Sequence, residues 1–106
     1  MTTETKEPAR FREIVTALVR RDARDLTLRQ LAILMTTKNC ATVRGLAVEF
    51  HIQKPAVTRA VSRLLDLGLV TRTRDPADGR SVLIRSTETG AEFIAGLGAA
   101  RGQEVA

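Results

Sequence analysis

The chain contains one cysteine, Cys40, one histidine, His51, and no tryptophan or tyrosine among its 106 residues. A lone thiol closes no intramolecular disulfide. One Cys beside one His cannot assemble the sulfur and nitrogen ligands of a structural zinc site, so no metal or other cofactor is expected. The same scarcity speaks against an enzyme: the residues compose no nucleophile-base pair, no glycine loop that would cradle a phosphate, and only acids scattered over surface faces and caps. With aromatic residues at 3%, Leu, Val, Ile and Ala must fill the core. No apolar run approaches the ~18 residues of a membrane span. The opening MTTETKEPARF has neither the basic flank nor the apolar stretch of a secretory signal, so a cytoplasmic location without a membrane partner is expected.

What the chain has is base. Its 17 Lys+Arg exceed 12 Asp+Glu, and the sequence pI is near 10.6. Between Lys54 and Ser86 lie seven bases and three acids, so +4 of the net +5 falls in this one segment. Clustered Lys and Arg attract phosphate before any sequence is read, which makes a polyanion the first partner to consider. The length suits a single domain with one core.

Periodicity and punctuation organise the chain. Residues 1–8 are polar, contain Pro8, and read as a short flexible arm; residues 9–106 read as one domain. Phe11, Ile14, Val15, Leu18 and Val19 recur at helical spacing over a first helix of about 9–25, closed by Arg20, Arg21 and Arg24. Thr27 can cap a second helix carrying Leu28, Leu31, Leu34 and Met35, which reads as buried, with Thr36–Asn39 as its exit loop. Thr42 can cap a short third helix with Val43, Leu46, Ala47 and Phe50 inward. A fourth helix follows, with Pro55 in its first turn and Gly68 as its stop. Two short helices joined by a tight turn form a helix-turn-helix at about 43–67.

On the fourth helix Val57, Val61, Leu64 and Leu65 gather on one side, while Lys54, Thr58, Arg59, Ser62 and Arg63 spread over the other. Leu69–Arg74 and Ser81–Arg85 then read as a hairpin around the turn DPADG, a wing at about 69–86. A last helix of about 87–102 begins at Thr87 and is weakened by Gly90, Gly96 and Gly98. The predicted class is mainly α with a small β-hairpin wing: a winged helix-turn-helix DNA-binding domain.

The stretch Leu46–Gly90 resembles the MarR family of winged-helix transcription regulators. The resemblance is carried by GLV-x-R at Gly68–Arg72, D-x-R at Asp78–Arg80 and T-x-x-G at Thr87–Gly90. It implies base or phosphate contacts in the major groove for Lys54, Thr58, Arg59, Ser62 and Arg63. It also implies a minor-groove contact for Arg80, with Asp78 orienting the wing through an ion pair to an arginine. A narrow A·T-rich minor groove concentrates negative potential that a guanidinium can occupy. Arg59 and Arg63 both suit a bidentate pair with guanine. Arg72, Arg74 and Arg85 are either phosphate contacts or strand-edge charges that discourage aggregation. Arg44, near the start of the third helix, is either a phosphate contact or a solvated side chain.

The resemblance further implies a homodimer on a pseudo-palindromic site, because a single winged helix gains specific affinity from a second half-site. Family members run longer and dimerise through an amino-terminal helix interleaved with two long carboxyl-terminal helices. Here the candidates are Phe11, Ile14, Val15, Leu18 and Val19 with Phe93, Ile94 and Leu97. The shortened region lacks much of the pocket wall where family members bind aromatic effectors, which argues against a small-molecule effector. The competing readings are a winged helix used for protein contacts, and a non-specific DNA-binding accessory protein. The polar, basic face of the fourth helix argues against the former. Cys40 is either an oxidant sensor, with only Lys38 and Arg44 close in sequence to activate its thiol, or a small half-buried loop residue, the preferred reading. His51 stands where a glycine often ends the third helix, and a pH-sensing role for it is not expected.

Overall fold

The computed structural model describes the backbone of residues 2–20 and 25–105, and side chains over residues 9–20 and 25–96. The order is α1 (Thr2–Arg20), α2 (Leu28–Thr36), a 3₁₀ turn (Thr37–Asn39), β1 (Ala41–Thr42), α3 (Val43–Phe50), α4 (Lys54–Asp66), β2 (Val70–Arg74), β3 (Val82–Ser86) and α5 (Glu88–Val105). The mainly helical class with a small antiparallel sheet is as expected. The chain divides into two compact units, Leu26–Ala91 and the pair Met1–Asp25 with Glu92–Ala106.

In the unit Leu26–Ala91, local chemistry sets each boundary. Thr27 and Gln30 form a reciprocal capping box, Gln30 N–H donating to Thr27 Oγ1 and Thr27 N–H to Gln30 Oε1, each at 3.0 Å. Thr42 caps α3 by accepting from Gly45 N–H at 3.0 Å. Both helices of the helix-turn-helix end the same way. At the end of α4, Gly68 has φ +74°, its N–H donates to Leu65 C=O, and Leu69 N–H donates to Leu64 C=O. At the end of α3, His51 has φ 56° and ψ 43°, its N–H donates to Val48 C=O, and Ile52 N–H donates to Ala47 C=O. Both are Schellman closures, which need a left-handed residue; glycine takes that conformation freely and histidine takes it under strain.

The core of this unit is aliphatic: Ile33, Leu34, Leu46, Val57, Ala60, Val61, Leu64, Leu69, Val70 and Ile84 are buried. Among the described residues the one buried polar side chain, Thr37, donates its hydroxyl to Leu34 C=O at 2.8 Å. The second helix is less buried than its pattern predicts. Leu28 is 77% exposed and Met35 is 52% exposed, because the inward face of α2 is centred on Ile33 and Leu34.

The wing is broader than a hairpin. β3 pairs antiparallel with β2, Arg72 opposite Ile84, and on its other edge with β1, Ala41 opposite Ile84. The sheet order is β1-β3-β2. A two-residue strand is too short to show alternation, so β1 has no signature in the sequence. Thr87 ties the base of the wing to α5: its hydroxyl donates to Gly68 C=O at 2.6 Å, its N–H donates to Leu69 C=O at 2.9 Å, and its Oγ1 accepts from Gly90 N–H. A side chain at Gly90 would drive its Cβ into the backbone carbonyl oxygen of Leu69. The T-x-x-G motif is therefore a cap and a close approach in one.

In the other unit, α1 starts at Thr2, so helical backbone spans residues 2–8 where polar composition predicts an arm. Polarity predicts exposure rather than conformation, and Thr, Glu and Lys are compatible with helix. Arg21 and Arg24, read as closing this helix, lie outside the described residues. α5 is continuous to Val105 despite its glycines. Among the described residues no helix is long and apolar enough to cross a membrane.

Candidate nucleic-acid interface

The amphipathic division of α4 is present in the structure. Val57, Ala60, Val61 and Leu64 are buried, while Lys54, Thr58, Arg59, Ser62 and Arg63 are all exposed. Burying one face fixes the helix axis and leaves the basic, hydroxyl-bearing face free. Pro55 stands in the first turn, and Gln53 supplies no side-chain cap there. The amino end of α4 thus keeps the partial positive charge that favours an anion.

The loop that joins β2 to β3 is ordered by its two aspartates. Asp75 N–H donates to Ser81 C=O at 2.9 Å, and Asp75 Oδ1 accepts from Ala77 N–H at 2.9 Å. Asp78 Oδ1 accepts from Arg80 N–H and its Oδ2 from the Ser81 hydroxyl, both at 3.1 Å. Asp78 braces this loop, where the resemblance implies an ion pair to an arginine. Its carboxylate is engaged by the loop itself in place of an arginine side chain, because a residue two positions before an amide closes an Asx turn at minimal chain cost. Arg74 is a second brace, its guanidinium donating to Gly79 C=O across the loop. Arg80 stays exposed.

Arg72 and Arg74 are exposed on β2, of which only Val70 is buried. Arg85 is exposed on β3 and its Nη2 lies 3.7 Å from Cys40 Sγ. Cys40 is half-buried with φ 68°. Arg44 is exposed at the start of α3. The fold brings four of these side chains to one cleft: Arg44, Lys54, Asp78 and Arg80 line it together with Thr42 and Ser81. Sequence reasoning passes over Thr42 and Ser81 as site residues. Thr42 carries a capping signal only, and Ser81 becomes relevant through the loop geometry. Arg59 lines a separate hollow beside Leu28, Phe50 and Ile52; Thr58, Ser62 and Arg63 line neither.

The expected association residues divide. On α1, Phe11 is 63% and Val19 74% exposed, Val15 is exposed, and Ile14 and Leu18 are half-buried. Phe93 is already buried in the single chain and Ile94 is half-buried. The side chain of Leu97 lies outside the described residues. Among those residues no group of three or more His, Cys, Asp or Glu could hold a metal ion.

A sequence profile described as MarR family matches residues 16–81. An HTH-type transcriptional regulator of Mycobacterium tuberculosis is 38% identical over 71 residues, covering 65% of this chain and 50% of its own length. A relative from Mycobacterium leprae named as an uncharacterized HTH-type transcriptional regulator is 37% identical with the same coverage. The chain thus spans about half the length of the curated relatives it matches. Among solved structures, a MarR variant from E. coli in complex with operator DNA superposes with a TM-score of 0.74. It is 26% identical, over 97% of this chain and 73% of that one. A transcriptional regulator of Thermotoga maritima is 32% identical with a TM-score of 0.70, over 76% of this chain and 58% of that one.

Proposed function

The chain belongs to the MarR family, and from that premise we propose that it is a sequence-specific transcription regulator of double-stranded DNA. The helix α4 enters the major groove with Lys54, Thr58, Arg59, Ser62 and Arg63, and the wing carries Arg80 to the adjacent minor groove. Arg44, Arg72 and Arg74 contact backbone phosphates, Arg74 while also bracing the loop. The observation that carries this reading is that the exposed face of α4 and a self-braced loop carrying Arg80 belong to one unit, Leu26–Ala91. A guanidinium presented on an ordered loop loses less conformational freedom on binding than one on a floppy tip.

Two copies bind as a homodimer on a pseudo-palindrome, associating through the exposed stripe Phe11, Val15 and Val19 of α1, with Ile14, Leu18, Ile94 and Leu97 beside it. Phe93 is a lesser contributor because it is buried without a partner chain. A protein of this kind works in the cytoplasm, on the nucleoid. It needs no cofactor and performs no catalysis.

Selection of bound duplexes from a random pool, followed by footprinting, tests the reading. The expected result is a protected two-fold site with separated half-sites. Arg59→Ala and Arg63→Ala relax selectivity at individual major-groove positions, and Arg80→Ala removes the preference for A·T flanks. Enrichment of no sequence would overturn the proposal.

A further inference from the structure

The cleft shared by the helix starts and the wing has a property that neither element has alone. Arg44 comes from the first turn of α3, Lys54 is the first residue of α4, and Arg80 follows the wing turn; all three line one cleft. Among the described residues its only lining acid is Asp78, and both oxygens of that carboxylate already accept hydrogen bonds, from Arg80 N–H and the Ser81 hydroxyl. Three cations from three elements therefore face one acid, with the uncapped amino end of α4 adding positive potential.

We infer that this cleft is the seat of a single backbone phosphate of DNA, held jointly by Arg44, Lys54 and Arg80. The inference rests on the regulator reading for its choice of ligand. If α4 lies in the major groove and the wing in the adjacent minor groove, one phosphodiester strand separates them, and that strand must pass between the start of α4 and the wing. The cleft lies there. A phosphate offers enough acceptor oxygens for several charged donors, and a guanidinium carries five N–H groups in a fixed fork. Arg80 can therefore turn one edge to the phosphate and another to the minor-groove floor. The shared phosphate sets the register between the reading helix and the wing.

Counting phosphates tests this. For the full chain, the affinity for a selected duplex is measured against salt; the slope of log K on log salt falls by about one for each phosphate that is no longer neutralised. Three separate phosphates predict that Arg44→Ala, Lys54→Ala and Arg80→Ala together lower the slope by about three. A shared seat predicts a drop of about one for the triple variant, and a less than multiplicative fall in affinity on combining Arg44→Ala with Arg80→Ala. Arg44→Lys and Arg80→Lys, which keep the charge, retain the slope. All three positions are exposed, and an unchanged thermal unfolding midpoint confirms that the variants fold.

A second arm titrates the DNA-free protein with inorganic phosphate and follows backbone amide shifts. Saturable shifts at Thr42, Lys54 and Ser81 that Lys54→Ala abolishes support the seat directly. Saturation by phosphate combined with a slope drop of three would give the cleft to free phosphate and overturn its assignment to DNA. A drop of three without saturation overturns the seat altogether. Because phosphate binding is independent of sequence, the slope reads the same whether or not the protein prefers one duplex over another, so a failure of the regulator reading is distinguishable from a failure of the seat.

Discussion

The unit Leu26–Ala91 closes on itself, whereas the described side chains of the terminal helices leave an apolar stripe in solvent. In the first, ten aliphatic side chains are buried, helix ends are capped by Thr27, Thr42 and Thr87, and two Schellman closures set the exits of α3 and α4. In the second, the described side chains include one buried hydrophobe, Phe93, against a stripe of Phe11, Val15 and Val19 left in solvent. A unit that completes its own core can hold side chains in fixed positions. Helices that leave a stripe open gain stability only when something covers it. The two units should therefore answer differently to the same kind of substitution.

Core truncation gives the largest contrast. Leu64→Ala, at a fully buried position, should cost about 2–5 kcal/mol in chemical unfolding, while Val19→Ala should leave the stability of dilute protein within about 0.5 kcal/mol. Comparable effects at the two positions would mean that the stripe is already covered within the chain. Phe11→Ser combined with Val19→Ser should shift the mass in analytical ultracentrifugation from dimer towards monomer with the far-ultraviolet spectrum unchanged; an unaltered dimer would move the association surface elsewhere.

Gly90→Ala should be destabilising by about 1–3 kcal/mol, on the scale of overpacking, because its Cβ meets the Leu69 carbonyl. The neighbouring wing should lose amide protection first in hydrogen exchange. Thr27→Ala removes the capping box and should lower stability by about 1 kcal/mol. The smallest effect has the opposite sign. His51→Gly relieves a left-handed non-glycine residue and should stabilise by up to about 1 kcal/mol, the relief of strain being partly offset by the greater freedom of glycine in the unfolded chain.

The unit Leu26–Ala91 is more legible in the sequence than the terminal helices for a physical reason. Helix faces and caps are local: the wheel over Lys54–Asp66, the Thr42 cap and the Gly68 stop each depend on residues within a turn or two, and all are found in the structure. Non-local features leave no trace. β1 owes its existence to the edge of β3, and the exposure of Leu28 and Met35 depends on which face of α2 the rest of the unit covers. The cleft joins Arg44 to Arg80 across a third of the chain, and no spacing rule connects them. His51 is legible as an anomaly, a histidine where the closure wants glycine. The full extent of α1 is hidden because a polar segment looks alike in a helix and in an arm.

The central claim is that the exposed face of α4 and the wing read duplex DNA. Its most direct measurement is the ratio of affinities for a selected duplex and a scrambled one at physiological salt, taken by fluorescence anisotropy. A preference of about 10³-fold or more is expected, reduced towards unity when Arg59, Arg63 and Arg80 are all replaced by Ala. Equal affinity of the unaltered protein for the two duplexes would contradict it.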